Sequence, residues 1–211
     1  MNPFQRKFAM SNRRRSFFFV LCIIVVILLS ILDKSRFKYK WSFRPEYQAT
    51  KGTSDFEQYH SSNFTITNVV DGDTLDIDYP DGEKKYTRIR LIGIDSPELY
   101  TDSGAMYFAS EAREFARKSA LGKNVTIYLD EGNDSRDKYG RLLAYVSLPD
   151  GNYLNEILIN EGYAYAYTIF RHSFYNKYNQ LESRARSSNK GLWQNITPNQ
   201  MPSWMQEREL N

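Results

Sequence analysis

Cysteine is almost absent from this chain. Its 211 residues hold one, Cys22, inside an apolar run, so the remainder can form neither an intrachain disulfide nor a thiolate metal site. Basic charge is scarce in the C-terminal part. From Ser62 onward there are 17 Lys and Arg against 21 Asp and Glu, whereas residues 1–61 hold 11 basic and 4 acidic side chains. The formal net charge of +3 therefore belongs to the N-terminal segment. A domain this acidic does not hold a polyanion by a broad cationic stripe, so any contact with phosphate has to rest on a few well-placed arginines. No internal repeat is present.

What the N-terminus does have is a charge-free run, FFFVLCIIVVILLSIL over residues 17–32, placed directly after Arg13, Arg14, Arg15 and Ser16. It is shorter than the roughly 20 residues of a spanning helix, and snorkelling Arg and Lys at both ends can make up the difference. A cleaved signal peptide and an uncleaved anchor are the two readings. No small-x-small cleavage site follows Leu32, which favours the anchor. The flanking cations are balanced, Arg6, Lys7 and Arg13 to Arg15 against Lys34, Arg36, Lys38, Lys40 and Arg44. The tight arginine triplet and the short tail place the N-terminus in the cytoplasm and the bulk of the chain outside. The expected organisation is a basic tail (1–16), a transmembrane anchor (17–32), a polar linker (33–62), a folded domain (63–194) and a C-terminal tail (195–211), a single-pass membrane protein with its domain extracytoplasmic.

Within the domain, NFTITNVV (63–70) and TLDIDY (74–79) alternate as strands, with Asp71 and Gly72 and then Pro80 to Gly82 as turns. RIRLIGIDSPE (88–98) follows, with apolar residues expected on both faces of a doubly buried strand. Phe108, Ala112, Phe115, Ala116 and Ser119 recur at helical spacing before Gly122. NVTIYL and LLAYVSL give two more strands, and Leu154 to Leu158 and Tyr178 to Ala185 two more helices. The expected fold is α+β: a small closed five-stranded barrel with three helices packed outside, preceded by the transmembrane helix and linker.

The first and third strands of a meander can flank the second, which brings their ends together. Asp73 and Asp95 could then share one hard divalent cation through oxygen ligands. Taken singly, DGDT and DSPE also read as plain strand-ending turns. Arg90 lies in an apolar strand, where an arginine is costly unless paired or serving a site, and Arg141 opens the fifth strand. Each alone reads as a partner for a nearby carboxylate. Two guanidinium forks, an acidic pair and a spare carboxylate, Glu98, are together the equipment for attacking a phosphodiester.

VVDGDTL, RLIGIDSPE, DKYGRLLAY and the closing KGLW, in this order and spacing, resemble the staphylococcal nuclease (thermonuclease) family from about Phe64 to Trp193. The resemblance implies a five-stranded OB-type barrel with three helices that cleaves DNA and RNA with one calcium ion, leaving 3′-phosphate ends. It implies Asp73, Asp95 and the Ser96 carbonyl as metal ligands, Arg90 and Arg141 as a phosphate clamp, and Glu98 as general base. Lys138 and Tyr139 read either as substrate-phosphate contacts or as simple turn residues, and Tyr165 and Tyr167 are base-stacking candidates, although alternating tyrosines also serve as wall packing. His172 reads as a surface residue. A monomeric enzyme with little sequence specificity and a preference for single strands is the expectation; a non-catalytic, membrane-tethered nucleic-acid-binding or adaptor module is the alternative.

Overall fold

The computed structural model describes residues 53–210. The basic tail, the apolar run 17–32 and the linker as far as residue 52 lie outside the described residues, and no described helix is long and apolar enough to cross a membrane.

A short helix α1 (Thr53–Tyr59) precedes strand β1 (Ser62–Val69), so the polar segment read as linker up to residue 62 ends in structure. Its anchor is Tyr59, fully buried, whose hydroxyl lies 3.0 Å from Thr87 Oγ1. In β1 the buried residues are Phe64, Ile66 and Val69. The step from 66 to 69 breaks strict alternation because a bulge between Ile66 and Asn68 shifts the register against β2 (Thr74–Ile77). Strand β3 (Thr87–Leu91) is shorter than expected and buries only alternate residues, Thr87, Ile89 and Leu91. The doubly buried strand is therefore corrected: Arg88 and Arg90 occupy the other face. The chain turns at Gly93, at φ 77°, and continues as a separate two-residue strand β4 (Ile94–Asp95).

Helix α2 (Ala109–Ala120) buries Ala109, Ala112, Ala116 and Ala120, small residues that let it lie close to the barrel. Strands β5 (Asn124–Tyr128) and β6 (Leu142–Ser147) complete a closed barrel in the order β1-β2-β3-β6-β5, with β5 pairing back to β1. The β3–β6 pair is parallel and the others antiparallel. That parallel pair brings the start of β6, where Arg141 sits, beside the strand carrying Arg90.

Helix α3 (Leu154–Asn160) carries a fully buried asparagine. Asn155 donates to the carbonyls of Ile92 and Ala144 at 3.0 and 3.3 Å and accepts from Val146 N at 3.1 Å, which pins the bend before β4 to the barrel wall. Strand β7 (Tyr165–Ala166) pairs with β4 in a ribbon outside the barrel, and helix α4 (Tyr175–Ser187) packs behind it.

The five-stranded barrel is as expected, but the helix inventory is larger. Besides α2, α3 and α4, the described residues include α1 and a C-terminal helix α5 (Ser203–Leu210) after two short 3-10 turns. The segment 195–210, read as a tail, is folded onto the domain. Met205 is fully buried in a second core cluster with Tyr165, Ala185, Leu192 and Trp193. Arg208 pairs with the buried Glu182 of α4, whose other oxygen accepts Ala166 N at 2.7 Å.

Candidate active site

The turn between β1 and β2 is the first component. Asp71 Oδ1 accepts Asp73 N at 3.0 Å, an Asx-type closure that a turn of this length favours. Gly72 is required by proximity: a Cβ there would meet Ser96 Cβ at 2.6 Å and Ser96 Oγ at 2.8 Å. The DGD turn thus lies directly on the DSPE segment. Asp73, 3% exposed, accepts Ser96 N at 2.7 Å on Oδ2 and Thr74 Oγ1 at 3.1 Å on Oδ1. The ends of the first strand and of the former third strand meet as expected.

Arg90 joins them. Its Nε lies 3.2 Å from Asp73 Oδ1 and its Nη2 donates to Asp95 Oδ1 at 2.7 Å. Nη1 donates to the carbonyls of Leu91 and Ile94, each at 2.7 Å. With five N–H groups on a guanidinium, this leaves one on Nη2 for a ligand. Arg141 is held differently. Asp137 accepts its Nε at 2.7 Å and its backbone N at 2.9 Å, and Nη1 lies 3.5 Å from Thr74 Oγ1. Most of the Arg141 fork therefore stays open.

Negative charge exceeds positive charge here. Burial, and then the charge of Asp73, push Asp71 up to about 7; the same two causes push Asp95 up to about 6. Glu98, exposed at the end of the DSPE segment, is raised by burial and by Asp73, with Arg90 and Arg141 opposing. A cluster whose carboxylates resist ionisation beside a single buried arginine is one that a hard cation would relieve. Among the described residues no three His, Cys, Asp or Glu side chains form a ligand group. Arg90 pairs with both Asp73 and Asp95; a cation here would take these two acids together with backbone and water oxygens. The all-oxygen donor set fits that demand.

A cavity of about 580 Å³ opens beside this cluster, with Arg90, Asp95, Arg141, Tyr139, Tyr167 and Trp204 in its wall. Lys138 and Tyr139 stand at its exposed rim, the Lys138 Nζ lying 4.9 Å from the Tyr139 ring centroid. Tyr167 is half-buried, with Trp204 edge-on at 5.0 Å. Tyr165 is a different case: its ring is 0% exposed, packed edge-on against Trp193 and Trp204, and cannot stack on a base. His172 is also corrected. It is partly buried: its Nδ1 lies 3.0 Å from Tyr145 Oη and its ring fills the space above Gly93, where a Cβ would meet it at 2.3 Å.

Three site residues escaped sequence reasoning. Asp71 was in plain view as the first acid of DGDT. Asp137 stands four residues before Arg141, a spacing that pairs such side chains. Trp204, which donates from Nε1 to Asp95 Oδ2 at 2.8 Å, had no local signal.

The staphylococcal nuclease homologue family profile matches residues 88–195. The chain is 31% identical over 146 residues to a protein of Escherichia coli O157:H7 described as an uncharacterized endonuclease, covering 66% of this chain and 81% of that protein. It is 30% identical over 139 residues to the thermonuclease of Staphylococcus hyicus, covering 64% and 78% respectively. Endonuclease YhcR of Bacillus subtilis is 30% identical over 154 residues, 68% of this chain but only 12% of that longer protein. With the barrel, the paired acids and the two arginines in place, the chain belongs to the staphylococcal nuclease homologue family.

Proposed function

We propose that this chain is a calcium-dependent nuclease that hydrolyses DNA and RNA with little sequence specificity and leaves 3′-phosphate ends. The observation that carries the reading is convergence: Arg90 pairs with both Asp73 and Asp95, and Arg90, Asp95 and Arg141, distant in sequence, line one cavity. The relatives named as endonucleases and a thermonuclease support the reaction class.

Asp73, Asp95 and the Ser96 carbonyl would hold the ion, which when bound supplies a Lewis acid against the phosphate oxygens. The protein's own groups do the rest. Arg141 presents its open Nη groups, and Arg90 its remaining Nη2 N–H, to a phosphate in the cavity. Both are fixed by carboxylates before substrate arrives, so they need no reorganisation as charge builds on the phosphate oxygens. Glu98 is the general base: environment raises its proton affinity while leaving it open to water. Tyr167 and Tyr139 offer aromatic faces to unstacked bases, which favours single strands. The apolar run 17–32 supports a membrane tether for this activity.

The test is cleavage of single-stranded DNA by the full-length chain with calcium, against Arg90→Ala and Glu98→Ala. Each substitution is expected to slow cleavage by about 10²- to 10³-fold. Equal cleavage by all three rejects this site, whereas no cleavage by the wild-type chain leaves the binding-module reading.

A further inference from the structure

Asp95 is the weakly founded half of the acidic pair. Asp73 grows out of the barrel, but Asp95 lies on the two-residue strand β4, which among the described residues pairs only with β7. Nothing in so short a ribbon fixes a carboxylate's torsion. Its Oδ1 is held by Arg90, and its Oδ2 by the indole N–H of Trp204, 109 positions away on α5.

We propose that Trp204 is a positioning residue for the cation site: by holding Asp95 Oδ2 it makes the C-terminal helix α5 a part of that site. Trp204 lies beyond residue 195, where the family match ends. The inference rests on the reading that Asp95 is a cation ligand.

Three features support it. The indole itself is locked, with the Tyr167 and Tyr165 rings edge-on at 5.0 and 6.2 Å and the Arg208 guanidinium 5.7 Å from its ring centroid. The helix carrying it is anchored to the ribbon it serves: Arg208 Nη1 lies 3.4 Å from the Ala166 carbonyl on β7, and Met205 is sunk into the second core cluster. The donor is neutral. A lysine or arginine at this place would fix the carboxylate equally well while cancelling the charge that attracts the ion; an indole N–H fixes its plane and leaves that charge. Each carboxylate oxygen has a second lone pair, so the bonds to Arg90 and Trp204 do not exhaust Asp95. Partners of this kind, one step removed from a metal, change affinity by about 10- to 100-fold when lost.

The experiment compares the full-length chain with Trp204→Phe, which keeps an aromatic ring against Tyr165 and Tyr167 and deletes the donor. Calcium binding is read by calorimetry, and melting temperature is read without calcium. The calcium Kd is expected to rise about tenfold or more, with calcium-free melting within a few degrees of wild type. A second measurement needs no variant: in the wild-type chain labelled with ¹⁵N-tryptophan, the Trp204 indole N–H resonance should shift on calcium addition by more than that of Trp193. Calcium binding by Trp204→Phe within twofold of wild type, or an unmoved Trp204 resonance while wild type binds calcium, overturns this inference alone. A wild-type chain that takes up no calcium overturns the metal reading, and this inference with it.

Discussion

Arg90 and Arg141 carry the same charge but differ in what surrounds them. Arg90 is a structural cross-link with one N–H to spare, whereas Arg141 is an open fork aimed by Asp137. Burial works against ionisation of Asp137, but hydrogen bonds from the Arg141 backbone and side chain outweigh it and hold its carboxyl below the usual range. Asp137→Asn loosens the aim and leaves the fork intact. Cleavage should fall on the order of tenfold to a hundredfold while calcium binding is unchanged, because the acids at 73 and 95 are untouched; single-turnover rates alongside calorimetry would check it. Gly72→Ala should act on the cation site instead. Its Cβ would press on Ser96 Cβ at 2.6 Å and Ala112 Cβ at 3.1 Å, prising the DGD turn from the DSPE segment. Loss of calcium affinity together with a lower melting temperature is expected. Most of this residue-level site was legible in the sequence. An arginine inside an apolar strand demands partners, and strand ends in a meander converge. The register of the tyrosines was not legible: in YAYAY alternation shows that neighbours face opposite ways, but not which one faces inward.

Among elements, the terminal helices matter more than their lengths suggest. Seven-residue α1 has no stability of its own and is held by tertiary contacts. Asp55 Oδ2 and Oδ1 accept Arg136 Nε and Nη2 at 2.8 and 2.9 Å, while Arg136 Nη1 reaches Asp81 Oδ2 at 2.7 Å. The helix thereby braces the loop that delivers Arg141. Burial would raise the Asp55 carboxyl, but Arg136 and Ser135 outweigh it and hold the group below 3.8. A depressed folded-state value contributes stability that is present above the unfolded value and lost as pH falls through the folded one. Melting measured from pH 6 down to pH 2 should therefore drop below about pH 4, and Asp55→Asn should start lower and drop less steeply. At the other end, Met205 contributes roughly 1.5–3 kcal/mol through burial alone. Neither helix was visible in the sequence. Phe56 and Tyr59 are the only apolar residues in the α1 stretch TSDFEQY, and α5 follows a polar segment whose contacts are all remote. The barrel strands, by contrast, showed their alternation directly, apart from the β1 bulge and the break of β3 at Gly93.

For the molecule as a whole, charge distribution sets the mode of substrate contact. Given the acidic balance from Ser62 onward, the proposed mechanism leaves Arg90 and Arg141 as the principal phosphate ligands. Binding of single-stranded DNA should depend weakly on salt, with a slope of log K against log salt near −1.4 for two phosphate contacts; a slope several times steeper would mean an additional basic track. The N-terminal run 17–32 belongs to this scale too. If it tethers the domain, the full-length chain stays in the membrane pellet after alkaline carbonate extraction, and recovery in the supernatant would refute the tether.

Asp73 belongs to the barrel and Asp95 to the ribbon, so a seam between two substructures runs through the middle of the site. Arg90 is stitched across that seam, bonded to both acids and to the carbonyls of Leu91 and Ile94 on the way over. Any force that parts ribbon from barrel, whether heat, denaturant or a pull on the C-terminus, would split the pair into two half-sites before the barrel itself gives way.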